Sequence, residues 1–247
     1  MALLHSFERS GNTLFKHRGQ IPIVLFLLAI PFMFFTHYDQ ISESWRIGLT
    51  VFSVFLSLVG FAIRGYAIGT TPKGTSGRNT QEQVAETLNN TGIYSLIRHP
   101  LYLGNYLMWI GIVVFTFNIY FVIIVSLLFW LYYERIMFAE ERFLERKFGE
   151  SYLSWSIKIP AFIPNFKNYI KGAISFSFKS VLRREYSGIL AMVVSFAFVD
   201  HLRYYILTGQ FDPWRVSSYT VIAMVVIAIF LRTLKHNTRL LNEEGRW

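Results

Sequence analysis

The chain has 247 residues, of which 53% are hydrophobic, 18% aromatic and only 16% charged, against roughly a quarter charged in soluble domains. That balance excludes an ordinary soluble protein and places the chain in a bilayer as a single polytopic domain. With no cysteine, disulfides, thiolate metal sites and cysteine nucleophiles are excluded. The formal charge of +9 comes from Lys and Arg beside apolar stretches, which reports membrane topology and argues against nucleic acid as a partner.

The first apolar stretch runs from Ile21 to about Thr36 behind Arg9, Lys16 and Arg18. No small-residue cleavage site follows it, so it reads as a retained span. A second span is expected from Trp45 to Ile68, after a loop with Asp39 and Glu43 that faces outward. The polar segment from Gly69 to His99 returns to the inner side. Leu101 to Phe117 and Ile119 to Phe138 follow as spans separated by little more than Asn118, which predicts a tight antiparallel hairpin. A basic stretch from Arg142 to Arg184 leads to spans near Gly188 to Leu207 and Val216 to Leu234. The expected architecture is therefore an all-α membrane bundle of about six helices with both termini cytoplasmic. Residues 1–167 would form a core with four spans, and 168–247 an amphipathic segment along the lipid surface plus two more spans.

Two motifs carry the polar chemistry. With the turn at Asn118, His99 lies about nineteen positions before it and Met137 about nineteen after it, so at about 1.5 Å per residue Glu140 and Glu141 fall within a turn of His99. Pro100 suits a first helical position, which sets Arg98 and His99 at a helix amino terminus that favours an anion. His99, Tyr102 and Tyr106 share a helix face, and Gly104 admits a close backbone or ligand. By spacing alone, interfacial anchoring is the favoured explanation of the basic and aromatic residues. Glu140 and Glu141 likewise open the stretch EERFLERKFG, which also reads as a solvated helix face stopped by Gly149.

In the segment Gly69 to Asn79, Gly, Thr and Ser residues with Lys73 and Arg78 could converge on a phosphate. A flexible loop is the competing reading. The Gly-Lys-Ser/Thr ending of a nucleotide-binding P-loop is absent.

The ordered set GIYSLI, RHPLYLG, EERFLERKFGESYLSW and IPAFIP resembles the isoprenylcysteine carboxyl methyltransferase and phospholipid methyltransferase superfamily of integral membrane enzymes, over approximately Gly60 to Pro164. The resemblance implies an S-adenosylmethionine-dependent methyltransferase whose cofactor sits at the cytoplasmic ends of the hairpin. It implies Arg98, His99, Tyr102, Leu103 and Gly104 on one side of the cofactor and Glu140 and Glu141 on the other, with Arg98, His99 and Glu141 as the catalytic set. The two spans after Pro164 and the Lys73/Arg78 segment depart from carboxyl methyltransferases of prenylated proteins. They are similar to bacterial members thought to methylate a lipid phosphate such as that of lipid A. The expected acceptor is then a membrane lipid phosphate at a bacterial inner membrane, held by Lys73 and Arg78, with no metal. Carboxyl methylation of a prenylated cysteine and N-methylation of phosphatidylethanolamine are the alternatives. A small transporter or lipid-binding scaffold, suggested by Arg64, Glu134, Arg135, Asp200 and His201, is the alternative of another class.

Overall fold

The computed structural model describes residues 2–72, 74 and 83–246. Lys73 and Arg78 lie outside them. Among the described residues there are eight α-helices and no strands.

Helix α1 (Ala2–His17) was not anticipated from the sequence, because its apolar residues are too few to span. It ends in Lys16 and His17, which suit a helix carboxyl end. It lies on α5, where a Cβ at Gly11 would fall 2.1 Å from the Arg135 carbonyl oxygen. The Arg135 guanidinium sits 3.2 Å from the Phe7 ring centroid, and Glu8 pairs with Arg146 at 2.5 Å. Helix α2 (Ile21–Phe34) is only 14 residues long and meets the preceding helical segment at 67°. The first expected span is thus one arm of a bent pair.

Helix α3 (Glu43–Gly69) starts at Ser42, whose hydroxyl accepts from Trp45 N. Helix α4 (Pro100–Val114) has its proline in the first turn. Helix α5 (Ile119–Phe148) begins at Asn118, whose Oδ1 accepts from Phe121 N at 2.9 Å. The Asn118 amide also donates to Phe32 O and Thr36 Oγ1, tying the hairpin turn to the end of α2. Helix α5 runs past the expected Phe138 and stops at Gly149 with φ 52°, a backbone conformation that favours glycine. Helices α6 (Glu150–Ser156), α7 (Phe178–Thr208) and α8 (Val216–Asn237) complete the chain.

By length and composition four helices (α3, α5, α7, α8) can cross a membrane, or five if the bent pair forms one span. The remaining expected span is the 15-residue apolar helix α4. The bundle is apolar outside: Phe55, Leu127, Val226 and Phe230 are exposed. It pairs its polar groups within, as a bilayer demands. Helices α3 and α4 approach closely through small residues. Cβ atoms added at Gly60 and Gly111 would lie 2.5 Å from Gly104 O and 2.2 Å from Ser57 Oγ, respectively, and Ser57 Oγ donates to Met108 O. Among the ionisable residues that suggested a transporter, Arg64, Asp200 and His201 have polar partners. Asp200 holds Arg215 at 2.8 Å and accepts from Ser217, and His201 Nε2 lies 2.8 Å from Ser218 Oγ.

The expected amphipathic segment is corrected. Residues 169–177 are irregular and α7 begins at Phe178. Glu185, which follows the basic residues Arg183 and Arg184, is 1% exposed and salt-bridged to Arg64.

Candidate active site

The hairpin brings the two motifs together as the helix heights predict. His99 Nε2 donates to Glu141 Oε1 at 2.8 Å, and the Tyr102 hydroxyl donates to Glu140 Oε1 at 2.7 Å. His99 Nδ1 lies 3.8 Å from Glu140 Oε2, so the imidazole stands between the two carboxylates, buried and stacked near Tyr102 at 5.7 Å between ring centroids.

Arg98 has a different posture from a side chain offered to a ligand. Its Nε donates to Glu141 Oε1 at 2.9 Å, while Nη1 donates to the carbonyls of Ser156 and Ile159 at 2.6 and 2.9 Å. The backbone amides of Arg98 and His99 donate to Pro160 and Ala161, and Asn165 N donates to Leu96 O. The IPAFIP segment is therefore a strap along the RHP segment, pinned by the Arg98 fork, which matches carbonyl and carboxylate acceptors in one plane.

A cavity of 470 Å³ opens beside this clamp, with Arg98, His99, Tyr102 and Glu140 in its wall. Glu141 does not line the cavity; it holds Arg98 and His99 from behind and is a positioning residue. Leu103 and Gly104, expected on the same wall, face elsewhere. Leu103 packs in the cluster of Ala67, Ile93 and Ile97, and a Cβ on Gly104 would strike Arg64 Cγ at 2.5 Å and Gly60 O at 2.8 Å. Gly104 serves helix packing because its position in the turn points to α3.

The wall also includes groups not marked as site residues in the sequence: Tyr94, Tyr152, Trp155, Arg18, Arg184 and Glu185. Burial, and next the Glu140 carboxylate, push the Tyr94 hydroxyl well above its ordinary pKa, so it stays protonated and can donate. Burial and Glu141 push Tyr152 up in the same way. The indole N–H of Trp155 is buried with no hydrogen-bond partner among the described residues, a donor that a polar ligand in the cavity would satisfy. For Tyr94 a signal existed, its place in GIYSLI. For Arg184 and Glu185 none did, because nothing local marks their partners. Among the described residues no cluster of His, Asp or Glu could hold a metal ion.

Apolar spans enclosing a polar, carboxylate-bearing pocket fit an integral membrane protein with a cavity at one end of a helical hairpin. Residues 46–151 match the phospholipid methyltransferase family. Two relatives are protein-S-isoprenylcysteine O-methyltransferases: that of Schizosaccharomyces pombe is 29% identical over 46% of this chain and 51% of its own length, and that of Xenopus laevis 30% over 50% and 42%. The cobalt-zinc-cadmium resistance protein CzcN of Cupriavidus metallidurans is 36% identical over 34% of this chain and 38% of its own. Over its middle part the chain is thus similar to the phospholipid and isoprenylcysteine methyltransferases. It spans about half the length, or less, of the curated relatives it matches. No solved structure matches it.

Proposed function

We propose that this protein is a membrane methyltransferase that moves the methyl group of S-adenosylmethionine to an anionic oxygen of a membrane lipid, with a lipid phosphate such as that of lipid A as the acceptor. The observation that carries the reading is the His99–Glu141 and Tyr102–Glu140 pair of contacts at the wall of the cavity. When bound, S-adenosylmethionine supplies a methyl group on a sulfonium, which an anionic oxygen takes in line as the carbon–sulfur bond breaks. Glu140 faces the cavity as a carboxylate for the cofactor's cationic groups or ribose hydroxyls, with Tyr102 holding one of its oxygens. Trp155 Nε1 and His99 offer polar edges, and Arg98 with Glu141 keeps the strap and imidazole in place. A phosphate oxygen is anionic at neutral pH and needs no general base, so alignment does most of the catalytic work. Lys73 and Arg78 would approach the acceptor from the segment after α3. The site would face the cytoplasm of a bacterial inner membrane, in keeping with the basic flanks.

A second reading is favoured by the two isoprenylcysteine O-methyltransferase relatives: a prenylcysteine carboxylate would also be an anionic oxygen. Membranes containing the protein are incubated with methyl-labelled S-adenosylmethionine, beside membranes with His99→Ala, and the labelled product is identified by mass. A labelled phosphate ester lost in the variant supports the lead reading, and a labelled cysteine ester or amine selects an alternative. No label together with no cofactor binding refutes the methyltransferase assignment.

A further inference from the structure

The cavity has two halves of different origin. The clamp of Arg98, His99, Tyr102 and Glu140 comes from the segment matched to the family, residues 46–151. The opposite half is closed by residues beyond that segment, Leu25 of α2 and Arg184, Glu185 and Gly188 of α7. Helix α7 is joined to α3 by a bidentate pair in which Arg64 Nε and Nη2 donate to the two Glu185 oxygens, each at 2.8 Å, while Arg64 Nη1 donates to Asn105 Oδ1 at 2.6 Å. Tyr94 lines the same cavity, within electrostatic reach of Glu140, Arg184 and Arg64.

The cavity also extends along the helix axes. Trp109 and Phe129 line the cavity, and each stands ten or so residues along its helix from the polar floor at His99 and Glu140, a rise of roughly 15 Å. That is about half the hydrocarbon thickness of a bilayer. A polar floor continuous with an apolar arm of one-leaflet depth fits an amphiphile and exceeds what a water-soluble cofactor needs.

We propose that the α7 side of the cavity is the acceptor seat: a lipid phosphate head group rests against Arg184, Arg64 and the Tyr94 hydroxyl, and one hydrocarbon chain runs up past Leu25, Trp109 and Phe129. This rests on the methyltransferase reading only for the purpose of the seat, not for its existence. Glu185 has a defined part. A guanidinium has five N–H donors, and three on Arg64 are committed to Glu185 and Asn105. Arg64 therefore positions an incoming phosphate without the full neutralisation that would blunt its oxygen as a nucleophile. Acceptor choice would then depend on Leu25 of α2 and Arg184 of α7, outside the family segment, acting with Arg64, Tyr94, Trp109 and Phe129 within it.

The purified full chain in detergent is offered phosphatidic acid and phosphatidylcholine with identical chains, and the lipid retained is read by native mass spectrometry. Affinity for S-adenosylmethionine is measured on the same samples by calorimetry. The wild type should prefer phosphatidic acid. Arg184→Gln should lose that preference by about tenfold or more, with cofactor affinity within about twofold of wild type. The double variant Arg64→Gln/Glu185→Gln, which removes both charges of the bidentate pair, should do the same if folded, and Arg184→Gln tests the seat if it is not. A wild type indifferent to the two lipids, variants that keep the preference, or a parallel fall in cofactor affinity would overturn the proposal. A wild type that prefers phosphatidic acid yet binds no S-adenosylmethionine would refute the methyltransferase reading and leave the seat standing.

Discussion

Replacing Glu141 by Gln keeps its shape and removes its charge, which makes it a direct test of the clamp. In the wild type, Glu141 Oε1 accepts from Arg98 Nε at 2.9 Å and from His99 Nε2 at 2.8 Å. The glutamine oxygen can still accept both, but its amide nitrogen then meets Arg98 Nη2, a donor that lies 3.4 Å from Glu141 Oε2. Hydrogen bonds to charged groups are worth about 1.5–3 kcal/mol and neutral ones about 0.5–1.5, so two weakened bonds cost about 2 kcal/mol in total. Since 1.4 kcal/mol is a factor of ten, affinity for S-adenosylmethionine should fall by up to about thirtyfold. The assay is calorimetric titration of the cofactor into protein in detergent, with helix content and thermal midpoint followed by circular dichroism. The apparent KM for the acceptor should stay near wild type, which a general loss of structure would not allow. Cofactor affinity within about threefold of wild type in a folded variant would show that the clamp is not the cofactor's seat.

Arg64→Met should destabilise the fold by about 3–5 kcal/mol, because Glu185, 1% exposed, loses its bidentate partner in a buried pair; unfolding in mixed micelles should show the loss, and the Arg64→Met/Glu185→Met double should recover most of it. Gly60→Val should force α3 and α4 apart, since even a Cβ there meets Gly104 O at 2.5 Å, and the thermal midpoint should drop, whereas Gly48→Ala, with nothing within 4 Å, should leave it unchanged. Methyl transfer should vary little with pH from neutrality to mild alkalinity, since an anionic acceptor has no proton to lose and Tyr94 remains protonated through that window, its pKa raised by burial. A steep rise above neutrality would favour an amine acceptor.

Much of the site was legible from the chain because it depends on short-range rules. A helix rises by a fixed amount per residue, so a turn at Asn118 was enough to set Glu140 and Glu141 beside His99 and Tyr102. The turn itself was marked by the residue that caps α5, and the end of α5 by Gly149 with its positive φ. The same rules misplaced Gly104, because periodicity tells which residues share a face and not which neighbour that face meets; the neighbour is Gly60 of α3.

What the sequence determined by itself was the helical, membrane-bound class, the hairpin, and the meeting of the RHP and EE motifs, all consequences of apolar run length, capping chemistry and helix rise. Only the tertiary structure decided that Arg98 holds the carbonyls of Ser156 and Ile159, that α1 lies along α5, and that Glu185 turns inward to Arg64, 121 positions away. The physical reason is that a charge near an apolar run has two low-energy solutions, hydration at the interface or a buried partner. The choice between them belongs to the packing of helices distant in the chain, which in this protein supplied the partner.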